Sequence, residues 1–493
     1  MRVRQCVMIC LLLLPYNARA DEVTSEQAQA LQEQLQGWFS GLFGSSVPTL
    51  PWQITAEGDH YLITWPIHGL DQPTGDVVAT ATVRSLDANR WSIDKVAVPA
   101  SAAFTLNIPP SGSMSPGGPM KISYSFGHDV LNGVIDPSFA TASTVHSEVD
   151  DLALTSDVGG QHQEQHFDRH LVDIALTPAK DGRLDLTMEG AINGWKSASL
   201  TNSGAPVAIA VQNMHASGRV TGIRRERVAD MLTAVRDLFV TLPNGALTKQ
   251  QGEQSIPSSA KAQLRLIIMA LGDMMTGITL QESADGLQVD LAGVGKLAIK
   301  HFQVGFGGEA PDGKLHLWLD LGMAGLECPD LPPKIAAYLP HHVEIKPSLS
   351  GIMTGDLQKL ALDATESGTN GDQLVPDIGA ILLHGDATVG LETLSFDLGP
   401  AQVEGTGHVT MLGPDEWHGE AHLSAAGLDD LVAQARTDPQ LQRALPVLIM
   451  ARGLARPDGD HLVWDIVSDG PKVMVNGLDL SELGRNKAPK KPN

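Results

Sequence analysis

The densest run of side chains able to bind protons or metals is Gly159-Gly-Gln-His-Gln-Glu-Gln-His-Phe-Asp-Arg-His170, with His162, Glu164, His166, Asp168 and His170 at every second position. On a helix the three imidazoles would stand at i, i+4 and i+8 along one side; on a strand all five side chains share one face. Either arrangement could offer nitrogen and carboxylate ligands to a divalent ion. No other ligand is spaced to complete a closed site. The run therefore reads as a polar solvent face, with a metal set of His162, His166 and His170 as the alternative.

The remaining chemistry is sparse. Cys328, in Gly-Leu-Glu-Cys-Pro-Asp, has no patterned His and acid beside it and reads as a small half-buried apolar residue. The chain has no Gly-x-Ser-x-Gly elbow, His-Glu-x-x-His helix, phosphate-binding loop or dinucleotide fingerprint. Asp458-Gly-Asp460 is too short for a calcium loop. Carboxylates are plentiful, but no spacing marks an acid and base pair. No catalytic residue, cofactor or metal is assigned, and an enzyme is the least favoured class.

Charge narrows the partners. The chain carries 57 acidic residues against 34 Lys and Arg, a net charge of −23. Phosphate binding takes clustered cations, and the only clusters are Arg224-Arg225-Glu-Arg227 and Lys487, Lys490 and Lys491 in the tail. Nucleic acid is excluded as a partner on this ground. Residues 1–20 read as a secretory signal: Arg2 and Arg4, an apolar run from Cys6 to Leu14, and Ala18-Arg19-Ala20 before a cleavage between Ala20 and Asp21. That run is shorter than the roughly 20 residues a bilayer span requires. The mature chain is expected in the periplasm, soluble and without a transmembrane span. Its single cysteine, Cys328, excludes an internal disulfide.

Around these residues the chain alternates between helical and strand periods. Residues 24–43 carry Leu31, Leu35, Trp38, Phe39 and Leu42 at helical spacing behind a Thr24 or Ser25 cap. The polar face has Glu26 and Glu33 and no cation, so the helix is expected to pack on the protein's own sheet rather than on a membrane. From Trp52 to Val211 the period is two, broken by turns such as Asp181-Gly182. A second helix is expected from Arg224 to Val240 and a third from Lys261 to Met275, the latter burying Leu264, Ile267, Ile268 and Leu271. A fourth, from Leu428 to Gly453, is broken at Thr437-Asp438-Pro439, with Leu441, Leu445, Leu448 and Ile449 as the buried side of its second segment. Asp458-Gly459 and Asp469-Gly470 bracket a closing hairpin.

The fold class is α+β and β-dominated: long antiparallel sheets of hairpins and meanders, with about four amphipathic helices packed on them. Residues 21–242 form a first domain, 243–260 a polar linker, 261–482 a second domain and 483–493 a disordered basic tail. The repeated order helix, strands, helix suggests a duplicated build.

The closing stretch also carries a resemblance. Gly419-Glu-Ala-His-Leu-Ser-Ala-Ala-Gly427, Gly453-Leu-Ala-Arg-Pro-Asp-Gly-Asp460, Leu462-Val-Trp-Asp-Ile466 and Val475-Asn-Gly477, with a signal peptide leading into Asp-Glu-Val-Thr, resemble an uncharacterised alphaproteobacterial periplasmic family, domain of unknown function twenty-one twenty-five. The resemblance implies an envelope address and a β-rich build, and it brings no activity or site residues. An interaction or structural module of the envelope is the first expectation for function. A carrier or chaperone of an apolar ligand such as a lipid is the second, and an unrecognised enzyme the third.

Overall fold

Period-two alternation becomes hydrogen-bonded antiparallel strands in the computed structural model, which describes residues 23–29, 31–33, 53–66, 78–87, 90–108, 118–136, 141–158, 161–200, 204–241, 257–367, 371–384, 386–413, 416–438 and 441–480. The β-dominated α+β class holds, and every strand pairing given below is antiparallel. Residues 1–20, expected as a signal peptide, with Trp38, Phe39, residues 243–256 of the expected linker and residues 483–493, lie outside the described residues. The chain divides into two units, residues 1–276 with 289–294 and residues 277–288 with 295–493.

The first unit begins as a meander of β1 (Gln53–Glu57), β2 (His60–Pro66), β3 (Val78–Asp87) and β4 (Arg90–Ala97). Next come β5 (Ser101–Ile108), β6 (Gly118–Ser125), β7 (His128–Asp136) and the long β8 (Thr141–Val158). β7 lies along the first half of β8 and β6 along the second, so two short strands share one edge of a long one. At their junction the Gly127 amide donates to the Asp150 carbonyl at 2.9 Å. β9 (Gln161–Pro178), β10 (Leu184–Leu200) and β11 (Pro206–Ile223) continue the sheet.

Packing explains where the first helical segment goes. Ala28 and Leu31 are buried with Tyr61, Ile63, Val83, Trp91 and Ile93 in one core. Thr24 Oγ1 accepts from the Gln27 amide and caps the segment. The Tyr61 hydroxyl donates to Gln27 Oε1 at 2.7 Å, and the Ile54 amide to Gln32 Oε1 at 3.3 Å. The described part of this helix therefore docks on the sheet, as its lack of cations suggests.

In β8 to β11 the apolar alternation shifts by one residue along a common line. On one side of it Val145, Ile174 and Met188 are paired in a row; on the other Leu152 pairs with Phe167 and Trp195 with Val211, and the Phe167 and Trp195 rings stack at 6.5 Å. Asp151 (φ 52°) and Gly194 (φ 62°) stand at the line. A left-handed residue turns a strand about its axis, and the opposite parity then faces the same way.

Helices α1 (Arg225–Thr241) and α2 (Ser258–Met274) follow and pack on each other, burying Ala234, Ala260 and Ala270. Arg224 and Arg227 both pair with Asp273. These ties hold α2 in the first unit, so the expected division at residues 243–260 falls inside that unit. Leu271 is a correction: the close approach is made through small residues, and Leu271 stays 49 % exposed.

β12 (Gly277–Leu291) is divided between the units. The second unit continues with β13 (Gly295–Glu309), β14 (Lys314–Glu327), the single turn α3 (Pro333–Ala336), β15 (Pro340–Met353), α4 (Thr354–Ser367), α5 (Gly371–His384), β16 (Thr388–Leu398), β17 (Ala401–Gly413) and β18 (Glu416–Ala426). Then come α6 (Leu428–Thr437), α7 (Leu445–Leu454), β19 (Arg456–Asp458), β20 (His461–Asp469), β21 (Lys472–Val475) and β22 (Leu478–Asp479). Strands β13 to β18 pair in sequence order, and β20 joins beside β18.

The break expected after Thr437 is present, between α6 and α7. The expectation of about four helices is too low: α4 and α5 carry Gly355, Gly379 and Pro376, residues that weaken helix signals in a sequence. The β5–β6 arm is a feature of the first unit. A helix pair stands between two strands in two places, α1–α2 between β11 and β12 and α4–α5 between β15 and β16.

Candidate functional site

The histidine run lies on β9, so His162, Glu164, His166, Asp168 and His170 share one parity. A strand rises about 3.3 Å per residue, which puts imidazoles four residues apart roughly 13 Å from one another. One ion, with nitrogen ligands at about 2.0 to 2.1 Å, cannot hold two of them. Nearby carboxylates pair with them instead: His162 Nδ1 with Asp157 Oδ1 at 2.7 Å, His162 Nε2 with Glu164 Oε1 at 2.9 Å, and His166 Nε2 with Asp168 Oδ1 at 3.1 Å. His170 sits beyond the line of Asp151 and Gly194, paired with Val149 and Ile192. No group of three or more His, Cys, Asp or Glu among the described residues could hold a metal ion.

These contacts set a pH response. The Glu164 hydrogen bond, and then that from Asp157, hold the His162 imidazole above its usual pKa. A raised folded-state pKa gives a stabilisation fully present below the unfolded value of about 6.5, and lost as pH rises through the folded one. An NMR titration should place His162 above the free-imidazole value, and Glu164→Gln should bring it down. An unshifted His162 in the parent protein would show that these contacts do not persist in solution.

A second polar spot has no counterpart in the sequence pattern. His146 Nδ1 pairs with Asp173 Oδ1 at 2.7 Å inside a shallow depression of about 230 Å³, also lined by Asn132, Thr144, Thr187 and Glu189. The two residues are distant in sequence and meet only through the register of β8 and β9. His146 Nε2 also lies 4.0 Å from a second carboxylate, Glu148 Oε2. Cys328 is a free, half-buried cysteine.

The extensive feature is apolar. In the second unit the registers align whole rows of side chains across the sheet. One row runs Val304, Leu321, Ile345, Leu394, Gly405, Leu423, Trp464, from β13 to β20. The next runs Phe302, Met323, Val343, Phe396, Val403, Ala425, Leu462. No position in either row is polar. With strands about 4.8 Å apart, a seven-strand row spans roughly 29 Å. The alternate positions form a polar face, where Lys346 pairs with Glu392 and His422 with Asp465.

Much of the apolar face is uncovered. Phe302, Phe306, Leu317, Leu319 and Val389 are between 37 % and 46 % exposed. Glycines let the face lie close: Leu423 occupies the space a Cβ on Gly405 would take, and Leu317 that on Gly308. Helix α6 buries Leu428, Val432 and Ala435. Helix α7 is tied to the row by Trp464, whose indole N–H donates to the Ala451 carbonyl at 2.8 Å. A correction applies to α7, since none of its residues is buried and Ile449 is 47 % exposed. It is held by hydrogen bonds and an ion pair at its C-terminal end.

The stretches that carry the family resemblance meet at this end of the unit. Asn476 Nδ2 donates to the carbonyls of Leu454 and Val463, at 2.8 and 2.9 Å, while its Oδ1 accepts from the Asp465 amide at 2.9 Å. These contacts span the gap between β19 and β21, which share one edge of β20. At the same end the Ser424 hydroxyl lies 3.1 Å from His461 Nδ1, and His461 Nε2 lies 3.5 Å from Asp460 Oδ1. Comparison with known protein families, curated proteins and solved structures finds no match. No helix among the described residues is long and apolar enough to cross a membrane.

Proposed function

We propose that this protein is a carrier of an extended apolar chain, of the acyl-lipid class, laid along the apolar face of the second unit. The observation that carries the reading is the set of unbroken apolar rows from β13 to β20, most of whose residues are partly exposed, with Phe302 and the neighbouring Phe306, Leu317, Leu319 and Val389 the most open. A contiguous apolar surface on a protein is a binding surface by default, because covering it removes its contact with water. Each methylene that a ligand buries there contributes about 0.8 kcal/mol. Residues 1–20, read as a signal peptide, support an address in the periplasm, where an apolar chain between two membranes needs such shelter. Membership of the periplasmic family that the closing motifs resemble is part of the same proposal.

An interaction module, the first expectation from sequence, is the second reading. It would cover the same face with a polypeptide. Organic extraction and mass spectrometry of the purified protein separate the two. The carrier reading expects a copurifying lipid, and Phe306→Asp with Leu319→Asp should reduce bound lipid at least about tenfold, since each change sets a charge on the face. A parent protein that copurifies no lipid and binds no fluorescent fatty acid would remove the carrier reading. A copurifying polypeptide lost in the double variant would establish the module.

A further inference from the structure

We infer that α7 is a membrane-docking element, seated on the interface of a bilayer that contains anionic lipids. The inference rests on the carrier reading for its purpose and on separate observations for its substance. Val447 and Met450, one turn apart on the helix, are 61 % and 60 % exposed, and Ile449 is 47 % exposed. The helix has ten residues, a length of about 15 Å, so it can lie in an interface and cannot span one.

Charge selects the occupant. Between Asp438 and Asp458 the chain carries Arg443, Arg452 and Arg456 and no acid, in a protein whose net charge is −23. Asp429 pairs with Arg452 and Asp465 with Arg456, so those two arginines are matched within the protein, and the exposed Arg443 is the one of the three left to meet a headgroup. Arg443 stands one residue before the helix N-cap, Ala444. An interfacial helix needs apolar residues on one side and Lys or Arg at its flanks, and anionic headgroups attract such cations. The helix at the chain's start lacks such a cation; α7 has Arg443 at its N-terminal flank.

Position ties the helix to the apolar rows. Trp464 belongs to the row that starts at Val304, and its indole holds the Ala451 carbonyl of α7. Asn476 holds the Leu454 carbonyl at the helix end, and the Arg452 guanidinium adds a contact to Asp429 Oδ2 at 3.1 Å. The apolar side of α7 is thus presented by a braced helix next to the end of the face that would receive an acyl chain.

The test is flotation of the full purified chain with vesicles of phosphatidylcholine, with or without phosphatidylglycerol. The parent protein should float with the anionic vesicles. Val447→Glu with Met450→Glu should lower the bound fraction about tenfold or more, and Arg443→Glu should abolish the preference for phosphatidylglycerol. Val447→Ser with Met450→Ser repeats the test with smaller change should the glutamates disturb folding, which circular dichroism reports. Absent flotation of the parent, or equal flotation of a folded double variant, overturns the inference. So does a dimer, seen by sedimentation and lost in the double variant, with no vesicle binding. Flotation without copurifying lipid would keep the docking helix and dismiss the carrier.

Discussion

Gly427→Ala is expected to destabilise the second unit by about 3 kcal/mol or more, or to prevent its folding, which places it among the severe single substitutions. Gly427 is the N-cap of α6 and has φ 69° and ψ 9°. A left-handed conformation costs an L-residue roughly 1 to 2 kcal/mol, and here a second cost is added. The new Cβ would fall on the carbonyl oxygen of Pro400, a backbone atom in the turn between β16 and β17. Backbone in a hydrogen-bonded turn cannot swing aside as a flexible side chain can. Relief means lifting α6, which buries Leu428, Val432 and Ala435 and carries Asp429, the partner of Arg452. Gly459→Ala is the control, because Gly459 has φ 64° and a Cβ added there would meet nothing within 4 Å. Urea unfolding should show a loss of about 1 kcal/mol for the control, the conformational part alone. Equal losses at the two positions would mean that α6 moves freely and the Pro400 contact is soft.

Asn476→Gly should cost about 2 to 4 kcal/mol, from three side-chain hydrogen bonds at about 0.5 to 1.5 kcal/mol each. Glycine accepts the φ of 49° found at this position, so the substitution removes the amide without adding backbone strain. The loss is uneven in kind. The Asp465 amide and the carbonyls of Leu454 and Val463 lose their side-chain partner in the gap between β19 and β21. Asn476→Asp should be worse than Asn476→Gly, because a carboxylate would face two carbonyl oxygens that the amide nitrogen now satisfies. Unfolding midpoints in denaturant rank the pair. The reverse order would show that water replaces the amide without penalty.

Most strands were legible because alternation is a local property. Asp458-Gly459 and Asp469-Gly470 bracket β20 as expected, and Asp181 and Asp312 take left-handed φ values in their turns. Thr24 was legible as a cap for the same reason: its partner is three residues away. The helices were read less completely. Pro376 and the glycines of α4 and α5 hide two of them, and in α2 and α7 the expected stripes include one residue each, Leu271 and Ile449, that stays exposed while their other members are partly buried. Close helix packing can bury Ala270 and leave Leu271 out, a choice that no spacing of leucines reveals.

The histidine run shows the limit in a single case. Spacing permitted a helix or a strand, and only the pairing of β8, β9 and β10 decided for the strand, which separates the imidazoles and gives His162 and His166 carboxylate neighbours. His146 and Asp173 mark the opposite limit, since 27 positions separate two groups that touch.

The sequence by itself determined the β-rich class, the acidic character that argues against nucleic acid, the turns, and the polar or apolar parity of each strand, all set by residues within a few positions of one another. The tertiary structure decided which strand faces coincide. Val304 and Trp464 belong to one row, although far apart in the chain, because successive registers from β13 to β20 place them there. A shift of one residue in any of those pairings would move the apolar set of a strand to the polar side. The continuous apolar face, and the exposed helix at its end, are therefore sums over many distant pairings, and they exist only once the sheet has formed.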